Sequence, residues 1–345
     1  MRVRIIQFFI VIGLLLAIET TAYFSLPVEN RTRSFFINFN LFRLQGDYVG
    51  LNGLGFDEID PLLGWSRTDL SLQQKGYTVE HNCILLKGTP RNGAKPIKIF
   101  ITGGSTTDIA LWTENWPVHL HKILEQRGIC ADLYVGGVGG YSSGQELLKL
   151  LEDGIEINPD IHIAYSGANE AYSDYVSSYE YSLFQNILNH SNSGIFLPNT
   201  LYVIRNFMQI NARDLVLKPH VDEDTTKSFS FWKKNMVTMN GIATANNYRF
   251  LGILQPVLGI GPHQQPLEMK NYSQQIAAYK AWYPKGIDFA DSHSGYLCNM
   301  TAAFDSIEDK TYVDDCHLNN KYQPLIAKKI FDELLQRKLL NAPSD

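Results

Sequence analysis

Between positions 97 and 167 short, almost wholly apolar runs alternate with stretches of helical period, and this alternation constrains the fold more than any other feature of the chain. The runs are IKIFITGG (97–104), ADLYVGGV (131–138) and DIHIAYSG (160–167), separated by NWPVHLHKILEQRG (115–128) and SGQELLKLLEDG (143–154). Strands buried on both faces read as continuous apolar runs, and parallel neighbours need a helical crossover between them. Strand, helix, strand, helix, strand therefore predicts an α/β domain built on a parallel, doubly wound sheet. A further run, RFLGILQPV (249–257), follows a helical stretch around 233–247, and NNKYQPLIAKKIFDELLQRKLL (319–340) reads as a closing amphipathic helix.

Residues 171–235 interrupt the alternation with Tyr, Ser and Asn, and read as a helical insertion into the domain at 57–345. Upstream, 27–56 suits a connector. Arg2 and Arg4 precede the apolar run Ile5–Ile18, the order read by the export machinery. With the tail through Leu26, the segment 1–26 is long enough for a tilted anchor. Thr20-Thr21-Ala22 also passes as a signal-peptidase site, so an uncleaved anchor and a cleaved signal both stand.

With 30 Lys plus Arg against 35 Asp plus Glu, a formal charge of -5 and no basic cluster, the chain is a poor match for nucleic acid. Four cysteines without C-x-x-C spacing, and nine histidines without H-x-x-x-H or H-E-x-x-H pairing, give a metal site little support. No cofactor is called for.

In doubly wound sheets ligands sit beyond the carboxyl ends of the strands. The first run ends in Gly103-Gly104-Ser105-Thr106-Thr107, a sharp turn that would present a serine at the start of the next helix. An N-capping serine gives the same pattern. The second ends in GGVGGYSS (136–143), whose glycines let a backbone N–H approach a ligand or simply make a tight turn. The third ends in Ser166-Gly167-Ala168-Asn169-Glu170, where Asn169 is either a side-chain donor or a turn residue. Near the C-terminus, Asp314-Asp315-Cys316-His317 places a histidine three residues after an aspartate able to fix its tautomer.

Taken in this order, the serine of GGSTT, the glycine of GVGGYSS, the asparagine of SGANE and the Asp-x-x-His pair resemble the four blocks of the SGNH/GDSL hydrolase superfamily. The resemblance runs from about Asp60, where DPLLGWS is similar to the pre-domain motif of membrane-anchored bacterial members, to about Leu335. It implies a flavodoxin-like three-layer α/β/α sandwich, with Ser105 as nucleophile, His317 as general base and Asp314 as its orienting partner. Ser105 N–H, Gly140 N–H and the Asn169 amide would form the oxyanion hole. The family's usual Gly-Asp-Ser is here Gly103-Gly104-Ser105, a variant that resembles a subgroup associated with surface polysaccharide.

The implied activity is a serine esterase acting on O-acyl, foremost O-acetyl, esters of an exported carbohydrate. Its setting would be the bacterial inner membrane with the domain in the periplasm. Tyr172, Tyr175, Tyr179, Tyr181 and Phe184 in the insertion suit stacking on sugar faces or packing onto the domain. Transfer of the acyl group to a sugar hydroxyl is the alternative reaction, and a non-catalytic glycan-binding protein on the same fold is the alternative class. An exported chain meets an oxidising compartment, so a Cys298–Cys316 disulfide bracing the Asp314–His317 loop is expected.

Overall fold

A computed structural model describes residues 60–172 apart from 61, 64, 91, 92 and 94, together with 225–261 and 272–340. It also describes positions 17, 18, 20, 21 and 24 and an antiparallel pairing of Phe36–Ile37 with Ile195–Phe196. The apolar run up to position 16, most of the connector and most of the insertion, including its tyrosine side chains, lie outside the described residues. Among the described residues, no helix is long and apolar enough to cross a membrane.

One seven-stranded sheet organises the domain. Its strands are β1 (Val79–Glu80), β2 (Cys83–Leu86), β3 (Ile97–Gly103), β4 (Ala131–Val135), β5 (Ile161–Ser166), β6 (Arg249–Leu254) and β7 (Leu297–Asn299). Their spatial order is β1-β2-β4-β3-β5-β6-β7. The five strands from β4 to β7 pair in parallel, while β2 runs antiparallel to both β1 and β4. The parallel part thus has the doubly wound flavodoxin-like order, in which the chain leaves β3 for one side and returns to the other. That reversal opens a crevice at the carboxyl ends of β3, β4 and β5.

Alternation along the strands sorts the core into two layers. Ile99, Ile101, Ile163 and Ile253 face α2 (Trp116–Gln126) and α7 (Gln323–Gln336). Phe100, Ala164, Phe250 and Leu254 face α3 (Ser143–Lys149), α5 (Thr225–Ala245) and α6 (Ser273–Ser292). The remaining helices, α1 (Asp69–Gln74) and α4 (Ala168–Tyr172), are short. Local chemistry starts the helices where the sequence suggests. Asn115 caps α2 with Pro117 in its first turn, and Ser142 with Gln145 forms a capping box at α3.

Three expectations are corrected. First, α5 begins at Thr225 and buries Trp232 fully, so residues 225–235 belong to the sandwich rather than to the insertion. Secondly, Ser105 does not head a helix. Its turn closes when Thr107 N–H and Asp108 N–H both donate to the Gly104 carbonyl, at 2.9 and 3.2 Å, and α2 starts only at Trp116. No helix N-terminus therefore stands directly behind Ser105. Thirdly, Cys298 and Cys316 are free thiols. Cys298 points from β7 into the α2/α7 layer and Cys316 lies in the opposite layer with Tyr279, so the sheet separates them.

Candidate active site

The crevice brings together all five residues picked out from the sequence. Ser105 Oγ lies 2.7 Å from His317 Nε2, and His317 Nδ1 lies 2.7 Å from Asp314 Oδ2. Serine and histidine are 212 positions apart in sequence, so only the fold makes this contact. The serine is half-buried and the His317 side chain is 17% exposed, enough for a small ester to reach the pair.

The Asp314 side chain builds its own loop. Its Oδ1 accepts the N–H groups of Cys316 at 3.0 Å and His317 at 2.8 Å, leaving Oδ2 for the imidazole. Burial would raise the Asp314 pKa, but the His317 hydrogen bond and charge and these two N–H donors outweigh it and hold the carboxyl below its ordinary value. Asp315 points elsewhere. It accepts the Tyr279 hydroxyl, its carbonyl takes the Leu258 N–H at 2.9 Å, and burial raises its pKa.

On the other side of Ser105 stand Asn169 and the Gly140 loop. The Asn169 amide donates to the Tyr141 carbonyl at 2.7 Å, next to Gly140. The same Nδ2 lies 2.6 Å from where a Cβ on Gly104 would stand, so the amide sits directly over the backbone leading into Ser105. This gives the Gly-Gly-Ser departure a steric counterpart, because a side chain at 104 would push the amide away. Gly140 holds φ at +81°, a conformation natural to glycine. Neither Ser105 N–H nor Gly140 N–H has an acceptor among the described residues.

Several positioning residues were not assigned from the sequence. Gly139, next to the donor Gly140, is gripped at both ends. Its N–H donates to Asp108 Oδ2 at 3.1 Å, and its carbonyl accepts Trp65 Nε1 at 2.8 Å. Asp108 is buried and paired with Arg67, and its Oδ1 caps the N–H groups of Ala110 and Leu111. Burial lifts the Asp108 pKa, while Arg67 and the Leu111 and Gly139 N–H groups oppose that rise. Tyr141 OH returns a 2.6 Å bond to the Trp65 carbonyl, and Gln145 Nε2 reaches the Leu63 carbonyl at 2.7 Å. The DPLLGWSR segment is thus a clamp on the Gly140 loop. Glu170 does the same for Asn169, accepting the N–H of Gly167 at 3.0 Å and that of Ser143 at the start of α3.

Asp314, Cys316 and His317 form a group whose ligand atoms all lie within 4.8 Å of one another, which a metal could in principle use. The geometry favours the proton instead. His317 Nδ1 is already committed to Asp314 and Nε2 to Ser105, and burial with two neighbouring carboxylates pushes the Cys316 thiol well up, away from the thiolate a metal needs. The arrangement can deprotonate a serine hydroxyl and hold an oxyanion beside it, which defines a serine-hydrolase type of site at the crevice of a doubly wound sheet.

No family model and no curated protein matches the chain. Solved structures with a similar chain path include the acetyl xylan esterase AlAXEase, at 14% identity and a TM-score of 0.44 over 68% of this chain and 98% of that one. Axe2, an acetylxylan esterase from Geobacillus stearothermophilus, gives 11% identity and 0.41 over 69% and 94%. A protein named TesA gives 15% and 0.41 over 70% and 99%. Each is a likeness in chain path at low identity, and the reading of the site rests on the geometry above.

Proposed function

We propose that the chain is an SGNH-type serine esterase that hydrolyses O-acyl, foremost O-acetyl, esters on an exported carbohydrate. The carrying observation is the continuous Ser105–His317–Asp314 relay, with both contacts at 2.7 Å. In this reading His317 takes the Ser105 proton as Oγ attacks the ester carbonyl. Ser105 N–H, Gly140 N–H and the Asn169 amide receive the negative charge, each donor lowering the barrier by about 3 kcal/mol. His317 then gives that proton to the leaving sugar oxygen, and a water deprotonated by His317 attacks acyl-Ser105, releasing the acid as the proton returns to Ser105 Oγ. Export is supported by Arg2 and Arg4 ahead of the Ile5–Ile18 run, which would tether the domain to the outer face of a cell membrane.

The test combines a fluorophosphonate probe with acetate release from p-nitrophenyl acetate. Wild type should label at one serine and turn over. Ser105→Ala should lose the label and about 10⁴-fold or more in kcat while keeping its circular dichroism spectrum. Labelling that survives Ser105→Ala would overturn the assignment. Offering oligosaccharides as acceptors and comparing free acetate with acetylated sugar separates hydrolysis from transfer, and a predominance of acetylated sugar would replace the esterase with a transferase.

A further inference from the structure

The chain has five tryptophans. Trp65, Trp116, Trp232 and Trp282 are buried to 6% exposure or less, while Trp112 is 36% exposed. Trp112 stands beside the reactive pair, its ring centroid 5.3 Å from that of His317 at an interplanar angle of 37°. Leu111, one residue earlier, and Val313, immediately before Asp314, are each 41% exposed. Exposed large apolar side chains thus lie near in sequence to the reactive pair, and Trp112 among them is in ring contact with His317.

The platform is held in place before any ligand arrives. Trp112 N–H donates to the Asp108 carbonyl at 3.0 Å, the Trp112 carbonyl accepts the Asn115 N–H at 3.1 Å, and Asp108 Oδ1 caps the turn at Ala110 and Leu111. Asp108 is itself locked by Arg67, so one buried pair positions both the Gly140 loop and this turn. A preorganised aromatic surface loses little entropy on binding.

We infer that Trp112, flanked by Leu111 and Val313, is the platform of a sugar subsite that takes the pyranose ring bearing or adjoining the ester. This rests on the esterase reading above and names the subsite that would give it a carbohydrate preference. A pyranose presents a face of C–H groups that matches a flat aromatic surface and a rim of hydroxyls that need polar partners. The surroundings offer both. Trp112 is followed by the exposed polar residue Thr113, and beyond it Glu114 pairs with His119 and Lys122, so polar groups border the apolar patch on that side. A long acyl chain would call for a wider, enclosed apolar lining.

Steady-state kinetics of the full-length protein on a chemically acetylated xylo- or chito-oligosaccharide and on ethyl acetate test the subsite. Trp112→Ala should lower the ratio of kcat/KM for the oligosaccharide to that for ethyl acetate by about tenfold or more, chiefly through KM, with Trp112→Phe in between. In the Ser105→Ala background, the same oligosaccharide should change tryptophan fluorescence, and Trp112→Phe should remove the change. If wild type cleaves the acetylated oligosaccharide but Trp112→Ala loses both substrates equally, the indole only packs His317 and the subsite is overturned, with the esterase standing. If wild type cleaves ethyl acetate and no acetylated sugar, the carbohydrate preference and the subsite fall together. If it cleaves neither and takes no fluorophosphonate, the esterase reading itself fails.

Discussion

The loop that carries Asp314 and His317 orients its histidine within four residues, whereas the loop that carries Gly140 is held from positions 31 to 82 residues away. In the first, one carboxylate accepts two N–H groups of its own turn and a ring nitrogen, and the backbone doubles back where Val313 N–H meets the His317 carbonyl at 2.9 Å. Outward, Asp315 ties this loop to Tyr279 and Leu258, and His317 reaches Ser105. In the second, Gly139 is clamped by Asp108 and Trp65, and Asp108 depends on Arg67. The difference teaches that the Asp314–His317 pair is a local device, while the Gly140 side of the crevice depends on the fold of its surroundings. Substitutions in the base loop should therefore damage chemistry more than stability, and those in the clamp should damage both.

Asp314→Asn gives the sharpest break. It should reduce kcat by about 10⁴-fold with the spectrum of the folded protein intact, because the imidazole loses both its tautomer and its counter-charge. Asp315→Asn should cost no more than about tenfold, since an amide still accepts the Tyr279 hydroxyl. Equal losses in p-nitrophenyl acetate turnover would show that the loop is not self-contained. The same pair has a pH signature. The Asp314 carboxyl sits below its ordinary value, so its ion stabilises the fold above the unfolded pKa of about 3.9, and that contribution is lost as pH falls through the folded value. Acid unfolding of Asp314→Asn should lack that step.

Arg67→Met comes next. It strands the buried Asp108 carboxylate and should destabilise the domain by about 3–5 kcal/mol in urea unfolding. A loss under about 1 kcal/mol would mean that the pair is not what braces the Gly140 loop. Trp65→Phe removes a single donor to the Gly139 carbonyl and should lower kcat several-fold, on the order of 1 kcal/mol, with KM nearly unchanged. A rise in KM alone would place Trp65 in substrate binding instead.

The smallest effect concerns a carboxyl outside both loops. Glu146 lies beneath β3, 3.1 Å from the Thr102 hydroxyl, and burial reinforced by Glu170 pushes its pKa well up. Above the unfolded pKa of about 4.3, the folded chain keeps a proton that the unfolded chain has released, so stability falls as pH rises through that window. Glu146→Gln should raise the urea midpoint at pH 7 by an amount on the order of 1 kcal/mol and change it little at pH 4. An equal change at both pH values would show that the side chain is ionised in the folded protein.

Much of this was legible in the chain because it is written in short-range terms. Continuous apolar runs marked β3, β4, β5 and β6, helical period marked α2, α3 and α7, and the spacing of Asp314 and His317 is itself the geometry of their turn. The strand-end rule pointed to the turns that hold Ser105, GGVGGYSS and Asn169, and the family resemblance singled out Gly140 within the second. Other elements carried weaker local signals. The two-residue β1 and four-residue β2 are too short to show a period, and β7 has three residues. Of the clamp, Trp65 was quoted only within a motif and Arg67, which follows that motif, was not singled out, since their partners lie 74 and 41 positions away.

The sequence by itself thus determined the α/β class and which residues could do chemistry, because periodicity, capping and an i,i+3 pair act over a few residues. Tertiary structure alone decided which of them meet. Packing put Cys298 of β7 and Cys316 of the loop that carries His317 into different core layers and dissolved the expected disulfide. The turn closed on the Gly104 carbonyl left Ser105 without a helix behind it. The crossing from β3 to β4 and back to β5 set Arg67, Asp108 and Gly139 in one buried contact and laid Trp112 against His317. Contacts of that kind depend on how distant segments are brought together by burial, a property of the packed whole that no local pattern encodes.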